Sequence, residues 1–406
     1  MSKTIWYISK YFAPKNKNSP GSRGWFLMRE IADKGYSVVV ITSDSNNLYP
    51  QPDLGSRVTI EEEHGVKLVW LKTLKYKTAK SFLRVLSWFH FEWNLLRLNK
   101  SSFSKPDAVI VSSLSLLTVV SGLWLKHKYK CTLIFEVRDI WPLTIVEEGG
   151  FSKWNPLVLM LGLIERIGYR YAEKIVGTMP NLSEHVSEIL GYEKEVCCIP
   201  MGVDMASVND HDDLPTGYIE KYLSSGKFTV AHAGTIGITN ALETFFHAAE
   251  LMKNEDRVEF ILVGDGALKQ QFEKKYEHFV NVTFAPKVSK SMVYSVLSRC
   301  DLLYFSVHKS KVWDYGQSLN KVIDYMLAGK PIVASYSGFP SMVDEAKCGT
   351  FVSAGDPVAL TIDIFQYLNM ESKEMNQIGS RGREWILKNR SYEKLADDYL
   401  LLCFEE

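Results

Sequence analysis

The stretch Tyr315-Gly316-Gln317-Ser318-Leu319-Asn320-Lys321-Val322-Ile323-Asp324-Tyr325-Met326-Leu327-Ala328-Gly329-Lys330-Pro331 decides how the chain is read. Gly316 to Asn320 are turn formers. From Lys321 onward, Val322, Ile323, Met326 and Leu327 fall on one helical face. Gly329 stands where a helix C-terminal glycine belongs, and Pro331 follows it into an apolar strand, Ile332 to Ser335. A helix opening from a polar, Gly-containing loop offers free amides and a positive dipole end to an anion. Lys321 adds a formal charge in the first turn, and Asp324 one turn on can accept from sugar hydroxyls. That inventory suits a nucleoside diphosphate-sugar. The same pattern also suits an ordinary amphipathic helix with a solvated Lys and Asp.

Working outward, strands and helices alternate on both sides. Thr4 to Ser9 reads as a buried strand, Tyr11 to Gly24 as a loop, Trp25 to Lys34 as a helix and Ser37 to Thr42 as a strand, a βαβ unit. Further strands are expected at Val66–Leu71, Pro106–Val111, Cys131–Val137, Lys174–Thr178 and Lys194–Ile199. A second alternation starts at Phe228–Ala233 and continues through Val258–Val263, Asn281–Ala285, Asp301–Ser306, Ile332–Ser335 and Thr350–Ser353. This is an α/β chain with two doubly wound parallel sheets. The strand Cys131–Val137 delivers Arg138-Asp139-Ile140-Trp141-Pro142 to its C-terminal end, where open sheets place their ligand crevice. A surface ion pair between Arg138 and Asp139 is the alternative.

Residues 72–105 have an unusual composition. Lys72, Lys75, Lys77, Lys80, Arg84, Arg97, Lys100 and Lys105 alternate with Trp88, Phe89, Phe91 and Trp93, and Glu92 is the only acid. Basic residues beside aromatic rings on a helical repeat fit an interfacial helix at an anionic membrane surface. They also fit a core helix with a solvated basic face. Lys75, Lys77, Lys80, Arg84, Trp88, Phe89 and Trp93 are the expected membrane or acceptor contacts. No nucleic-acid-binding motif accompanies the charge.

Several segments resemble one family. Asp324-Tyr325-Met326-Leu327-Ala328-Gly329-Lys330-Pro331 resembles the second half of the two-carboxylate motif of family 4 retaining glycosyltransferases, which have the GT-B fold. Gly316 stands where the first Glu of that motif would be. Ser318-Leu319-Asn320-Lys321 and Arg138-Asp139-Ile140-Trp141-Pro142 resemble a bacterial surface-polysaccharide subgroup that includes N-acetylfucosaminyl transferases. Pro200-Met201-Gly202-Val203-Asp204 resembles the inter-domain hinge, with Met201 for Asn. Thr235 and Asn240 stand where many members carry a diphosphate-binding Arg and Lys, and Pro286 replaces a Gly.

The resemblance implies two Rossmann-like domains facing across a cleft, residues 1–203 and 204–378, with residues 379–406 crossing back to the first. It implies donor contacts from Gly21, Ser22, Gly234, Thr235, Gly264, Asp265, Lys287, Val288, Gly316, Gln317, Ser318, Leu319, Asn320, Lys321 and Asp324. It implies Asp139 as the residue that orients or deprotonates the acceptor, with Arg138 positioning it. The expected reaction is retaining, metal-independent transfer from a UDP-sugar to a polyprenyl-diphosphate-linked acceptor in O-antigen, capsule or exopolysaccharide synthesis. No cofactor beyond the donor is expected, and no Asp-x-Asp metal motif lies in a suitable loop. Gly316 removes a hydroxyl acceptor and opens volume, so an N-acetylamino or deoxy sugar is the expected donor. A GT-B sugar-nucleotide epimerase and a non-catalytic nucleotide-sugar-binding assembly protein are the alternatives.

The totals agree with an enzyme of this size. The 406 residues are 46% apolar and 23% charged, with 47 Lys+Arg and 47 Asp+Glu. Residues 1–200 hold 26 Lys+Arg and 19 Asp+Glu, so the first half is basic and the second acidic. The six Cys have neither metal-ligand nor redox spacing and read as reduced, buried thiols. The N-terminal apolar run is too short for a signal peptide. The charge-free run Ala108–Leu125 splits into a strand, a Ser turn and a helix. A dinucleotide fingerprint is absent after the first strand, which argues against a dehydrogenase. The expected location is the cytoplasm, peripheral on the inner membrane face.

Overall fold

A computed structural model describes residues 2–16, 19–78 and 81–404. The chain divides into two compact units, Met1–Gly202 with Tyr392–Glu406, and Val203–Ser391.

The first unit has an eight-stranded sheet. Its strands are β1 (Thr4–Ile8), β2 (Ser37–Ser43), β3 (Val58–Glu63), β4 (Val66–Leu71), β5 (Ala108–Ser112), β6 (Thr132–Val137), β7 (Lys174–Gly177) and β8 (Val196–Cys198). They lie in the order β8-β7-β6-β5-β1-β2-β4-β3. Only β3 runs antiparallel, pairing Val58 with Leu71 and Glu63 with Val66. Sequence reading missed β3 because it ends in three glutamates and has no buried alternation. Such an edge is blunted against further pairing by its charge. The helices are α1 (Arg23–Asp33), α2 (Phe82–Arg97), α3 (Thr118–Tyr129), a short α4 (Leu143–Glu147), α5 (Pro156–Tyr171) and α6 (Leu182–Leu190). The apolar run from Ala108 divides into β5 and α3. Among the described residues no helix is long and apolar enough to cross a membrane.

The second unit has a six-stranded, all-parallel sheet of β9 (Phe228–Thr235), β10 (Val258–Asp265), β11 (Val282–Ala285), β12 (Leu302–Ser306), β13 (Ile332–Ser335) and β14 (Gly349–Val352). The order is β11-β10-β9-β12-β13-β14. Numbered within the unit, this is the doubly wound order 3-2-1-4-5-6, whose switch point lies between its first and fourth strands. The helices are α7 (Thr216–Tyr222), α8 (Glu243–Leu251), α9 (Lys269–Tyr276), α10 (Val293–Leu297), α11 (Asn320–Leu327), α12 (Met342–Ala346), α13 (Pro357–Leu368) and α14 (Ser372–Asn389). The last helix, α15 (Tyr392–Phe404), belongs to the first unit.

The division at Ser391/Tyr392 differs from the expected break after residue 378, which falls inside α14. The reason is close packing of α14 on the second unit. A Cβ at Gly379 would lie 1.9 Å from Gly329 O, and one at Gly382 would lie 2.9 Å from the Cys348 Cβ. Helix α15 lies on α1, where Phe26 and Tyr392 stack with ring centroids 5.0 Å apart.

A buried ion pair knits the first unit together. Arg23 and Glu136 are both inaccessible and hydrogen-bonded to each other. Tyr7 Oη donates to Glu136 Oε2 at 2.8 Å, and Tyr399 of α15 donates to Oε1. Arg23 also donates to Pro200 O at 3.0 Å and Ile199 O at 2.5 Å. Burial alone would raise the Glu136 carboxyl, but Arg23 overrides it and holds the group at about 2. Replacing Glu136 by Gln leaves a buried guanidinium without its counter-charge. Glu136→Gln should cost about 3–5 kcal/mol in denaturant unfolding of the first unit. Tyr399→Phe, which removes one hydrogen bond to a charged group, should cost about 1.5–3 kcal/mol.

Candidate functional site

The second unit carries a cavity of about 690 Å³ at the C-terminal ends of β9 and β10. Ala233, Gly234 and Thr235 from β9 and Val263, Gly264, Asp265 and Gly266 from the end of β10 form one wall. Lys287, Val288, Lys290, Val293 and Val296 form a second, and Lys321 and Asp324 of α11 a third. The register pairs Gly234 with Gly264 and Thr235 with Asp265. Glycine is required here. A Cβ on Gly264 would sit 1.9 Å from Gly234 O, and Gly264 has a φ of +157°. The two strand ends thus expose bare backbone to a ligand.

The charges are arranged around that wall. Lys287 Nζ lies 3.4 Å from Asp265 Oδ2, and Lys290 Nζ lies 2.6 and 2.5 Å from the two Asp324 carboxylate oxygens. Lys321 differs from both. Its ammonium donates to the Asn240 Oδ1 amide oxygen, and no ion pair with a carboxylate is found for it among the described residues. Burial pushes it down to about 8. His232 lies fully buried on β9 with Nδ1 3.3 Å from Tyr304 O. Burial, reinforced by the Lys321 charge, pushes that imidazole down to about 3, so it is neutral at pH 7. A partly buried ammonium without an acidic partner carries an uncompensated charge that an anion would offset.

Eight of the expected donor contacts converge on this cavity: Gly234, Thr235, Gly264, Asp265, Lys287, Val288, Lys321 and Asp324. Gly316 to Leu319 form the loop that leads into α11, and Asn320 starts the helix. Gly316 is buried with φ +96°, its amide bonded to Trp313 O at 3.0 Å. Gln317 is buried, Ser318 and Leu319 are partly exposed, and Asn320 is exposed at the helix start. No helix opens directly after Gly234. The next α-helix, α8, starts only at Glu243 and carries this acid in its first turn. Gly21 and Ser22 belong to the first unit. The Ser22 hydroxyl is committed to structure: it accepts from Ala13 N at 3.2 Å and Trp25 N at 3.4 Å, capping α1. Sequence reading missed His232, Gly266, Lys290, Val293 and Val296. Of these, only Lys290, three residues after Lys287, offered a signal.

The first unit gathers a different cluster at the ends of β1, β2, β5 and β6. Lys10 is fully buried, donates to Ser45 O at 2.5 Å and lies 5.0 Å from the centre of the Tyr11 ring. Burial lowers its ammonium to about 7. The Arg84 guanidinium lies over Tyr11, Trp88 and Trp141 at 5.7, 5.6 and 5.2 Å. Trp141 Nε1 donates to Asp139 Oδ2 at 2.8 Å and Thr144 Oγ1 to Oδ1 at 2.5 Å. Burial raises the Asp139 carboxyl against those two bonds. The alternative of an Arg138–Asp139 surface ion pair is not found among the described residues; Asp139 is held by its own loop.

The basic aromatic belt divides into two faces. Trp88 is 3% exposed and Arg84 packs inward, so neither meets a membrane. Lys75 pairs with the buried Asp44 at 2.9 Å. Glu92 accepts from Thr118 at 2.9 Å and from Ser121, and burial pushes it up to about 7. Phe82, Leu83, Leu86, Phe89, Trp93 and Leu96 point outward, Trp93 at 57% exposure. Lys77 is exposed, and Lys80 lies outside the described residues. The expectation of buried thiols holds for Cys131, Cys300, Cys348 and Cys403, while Cys198 is exposed and Cys197 half-buried.

Comparison with known proteins bears on the fold. Residues 227–370 match the family described as Glycosyl transferases group 1. Sucrose-phosphate synthase from Thermosynechococcus elongatus superposes with a TM-score of 0.71 at 16% identity, covering 98% of each chain. HepE from Anabaena, in complex with UDP and glucose, gives 0.64 at 15% identity over 98% of each chain. WaaG, a glycosyltransferase involved in lipopolysaccharide biosynthesis, gives 0.66 at 13% identity over 99% of this chain and 100% of its own. The chain has the GT-B fold. No curated protein sequence matches it.

The state of Lys321 makes anion binding depend on pH. An unfolded lysine keeps its proton to about pH 10.4, whereas Lys321 in the empty fold loses it near 8. Between those values the unfolded chain binds more protons, so this residue makes the empty fold more stable as pH rises through 8. A diphosphate bound beside Lys321 would restore the proton. UDP binding should therefore weaken from about pH 7.5 to 9.5 and take up a proton in that window. Calorimetry in buffers of different ionisation enthalpy would measure the uptake, and Lys321→Met should abolish it.

Proposed function

We propose that the protein is a retaining, metal-independent glycosyltransferase. It moves a sugar from a UDP-sugar to a polyprenyl-diphosphate-linked acceptor in bacterial surface-polysaccharide synthesis. The observation that carries this reading is Lys321, an ammonium with no carboxylate partner among the described residues, beside a bare-backbone wall at the C-terminal ends of β9 and β10. The group 1 match over residues 227–370 and the UDP held by HepE support the donor class. In this reading Lys321 and the open amides meet the diphosphate, Asp324 receives the ribose hydroxyls, and Lys287 with Val288 meets the base.

The acceptor hydroxyl attacks the anomeric carbon on the face from which the diphosphate leaves. A leaving diphosphate oxygen takes the hydroxyl proton, and Lys321 neutralises the charge that develops there. Asp139 orients the acceptor hydroxyl, with Arg138 beside it. The donor sugar is an N-acetylamino sugar, 6-deoxy or not. Gly316 in place of a carboxylate would leave a hydroxyl of an ordinary hexose unpaired, at about 1–3 kcal/mol.

The acceptor's lipid places the protein on an anionic membrane. Supporting this are the outward rings of α2 and cations set beside exposed rings on α2, on α3 and just before α5. Lys128 lies 4.8 Å from the centre of Trp124, Arg97 5.5 Å from Trp93, and Lys153 5.7 Å from Trp154. Rings enter the headgroup boundary while cations meet lipid phosphates.

Two experiments test the proposal. With labelled UDP-sugar and a lipid-linked acceptor in EDTA, label should move to the lipid; a free epimer, or binding without turnover, would support the alternatives. Asp139→Asn should lower turnover about 10²-fold or more and leave UDP affinity unchanged. Binding to vesicles containing anionic lipid should weaken with salt and fall in Phe89→Ser/Trp93→Ser, with no loss on neutral vesicles to match. Equal binding to neutral vesicles in high salt would refute the electrostatic part.

A further inference from the structure

We infer that Lys290 is a specificity-determining residue of the donor cavity, holding the Asp324 carboxylate in a two-point ion pair that a ribose diol must displace. The inference rests on the reading that Asp324 receives the ribose. Both Asp324 oxygens lie within 2.6 Å of Lys290 Nζ, so one ammonium engages the two-point acceptor that a vicinal diol would use. Both residues line the cavity with Lys321, which stands one turn earlier on α11. Lys290 opens the turn Lys290–Met292, directly after the segment that holds Lys287 and Val288. A ligand meeting that segment and Lys321 together therefore passes the Lys290–Asp324 pair.

The pair is suited to exchange. The Lys290 side chain is 60% exposed and that of Asp324 27%, so Lys290 can swing into solvent as the diol arrives. A pair this exposed is weak, and its loss costs the ligand about two- to fivefold in affinity. A nucleotide with one hydroxyl can share the carboxylate and leave Lys290 in place. Lys290 thereby compresses the advantage of a full diol over a deoxyribose.

Calorimetric affinities for UDP and 2′-deoxy-UDP on wild type, Lys290→Met, Asp324→Asn and the double variant test this. Lys290→Met should bind UDP about two- to fivefold more tightly and gain less for 2′-deoxy-UDP. Lys287→Met removes an equal charge from the same cavity without touching Asp324 and should not tighten UDP. In the Asp324→Asn background, Lys290→Met should have no tightening effect. Weaker UDP binding by Lys290→Met would make Lys290 a ligand of the nucleotide and overturn the inference. So would tightening that persists without the Asp324 carboxylate. A wild type that binds no nucleoside diphosphate would refute the donor reading itself. UDP binding that is insensitive to Lys290 would sink only this inference.

Discussion

The first unit depends on the neutralisation of one buried charge. Arg23 has no access to water, so each of its N–H groups needs a partner inside the fold. Glu136 provides the counter-charge from β6, and the carbonyls of Ile199 and Pro200 take two more bonds. Tyr7 from β1 and Tyr399 from α15 then complete the carboxylate. Five segments far apart in the chain must therefore be in place together. The segment that leaves the unit near residue 202 and the helix that returns at Tyr392 are both held by this one network.

The second unit solves the opposite problem. Lys321 donates to an amide oxygen rather than to a carboxylate, and burial lowers its proton affinity. The glycines of β9 and β10 keep the adjacent wall free of side chains. Thr235 and Asn240 put no cation of their own beside it. Asn240 instead accepts the hydrogen bond from Lys321. Lys287 and Lys290 are each offset by an aspartate, so the net positive charge of the cavity is concentrated at Lys321.

Helix α2 shows how composition conceals direction. Its basic and aromatic residues read as one belt. In the fold, Ser87, Trp88, Phe91, Asn94 and Leu95 are buried, and Phe89, Trp93 and Leu96 are not. Arg84 serves the inner face, where its guanidinium links Tyr11, Trp88 and Trp141 beside Asp139. One helix thus supports the strand-end cluster and presents an outward apolar face.

The sequence by itself determined the α/β alternation, both parallel sheets and the α11 site segment. Those features rest on local signals: apolar runs of strand length, helical spacing, and Gly at turns. It also brought out Lys321 and Asp324, because both lie within one turn of a helix whose start is marked by its loop. It could not show β3, whose glutamates carry no burial pattern, or that α14 belongs to the second unit. It could not separate the two faces of α2, since both carry rings and cations. Nor could it show that Ser22 is spent on a cap, that His232 lies behind the anion site, or that Lys290 reaches Asp324. Those facts depend on partners tens or hundreds of residues away, and only the packed sheet brings such partners to within hydrogen-bonding distance.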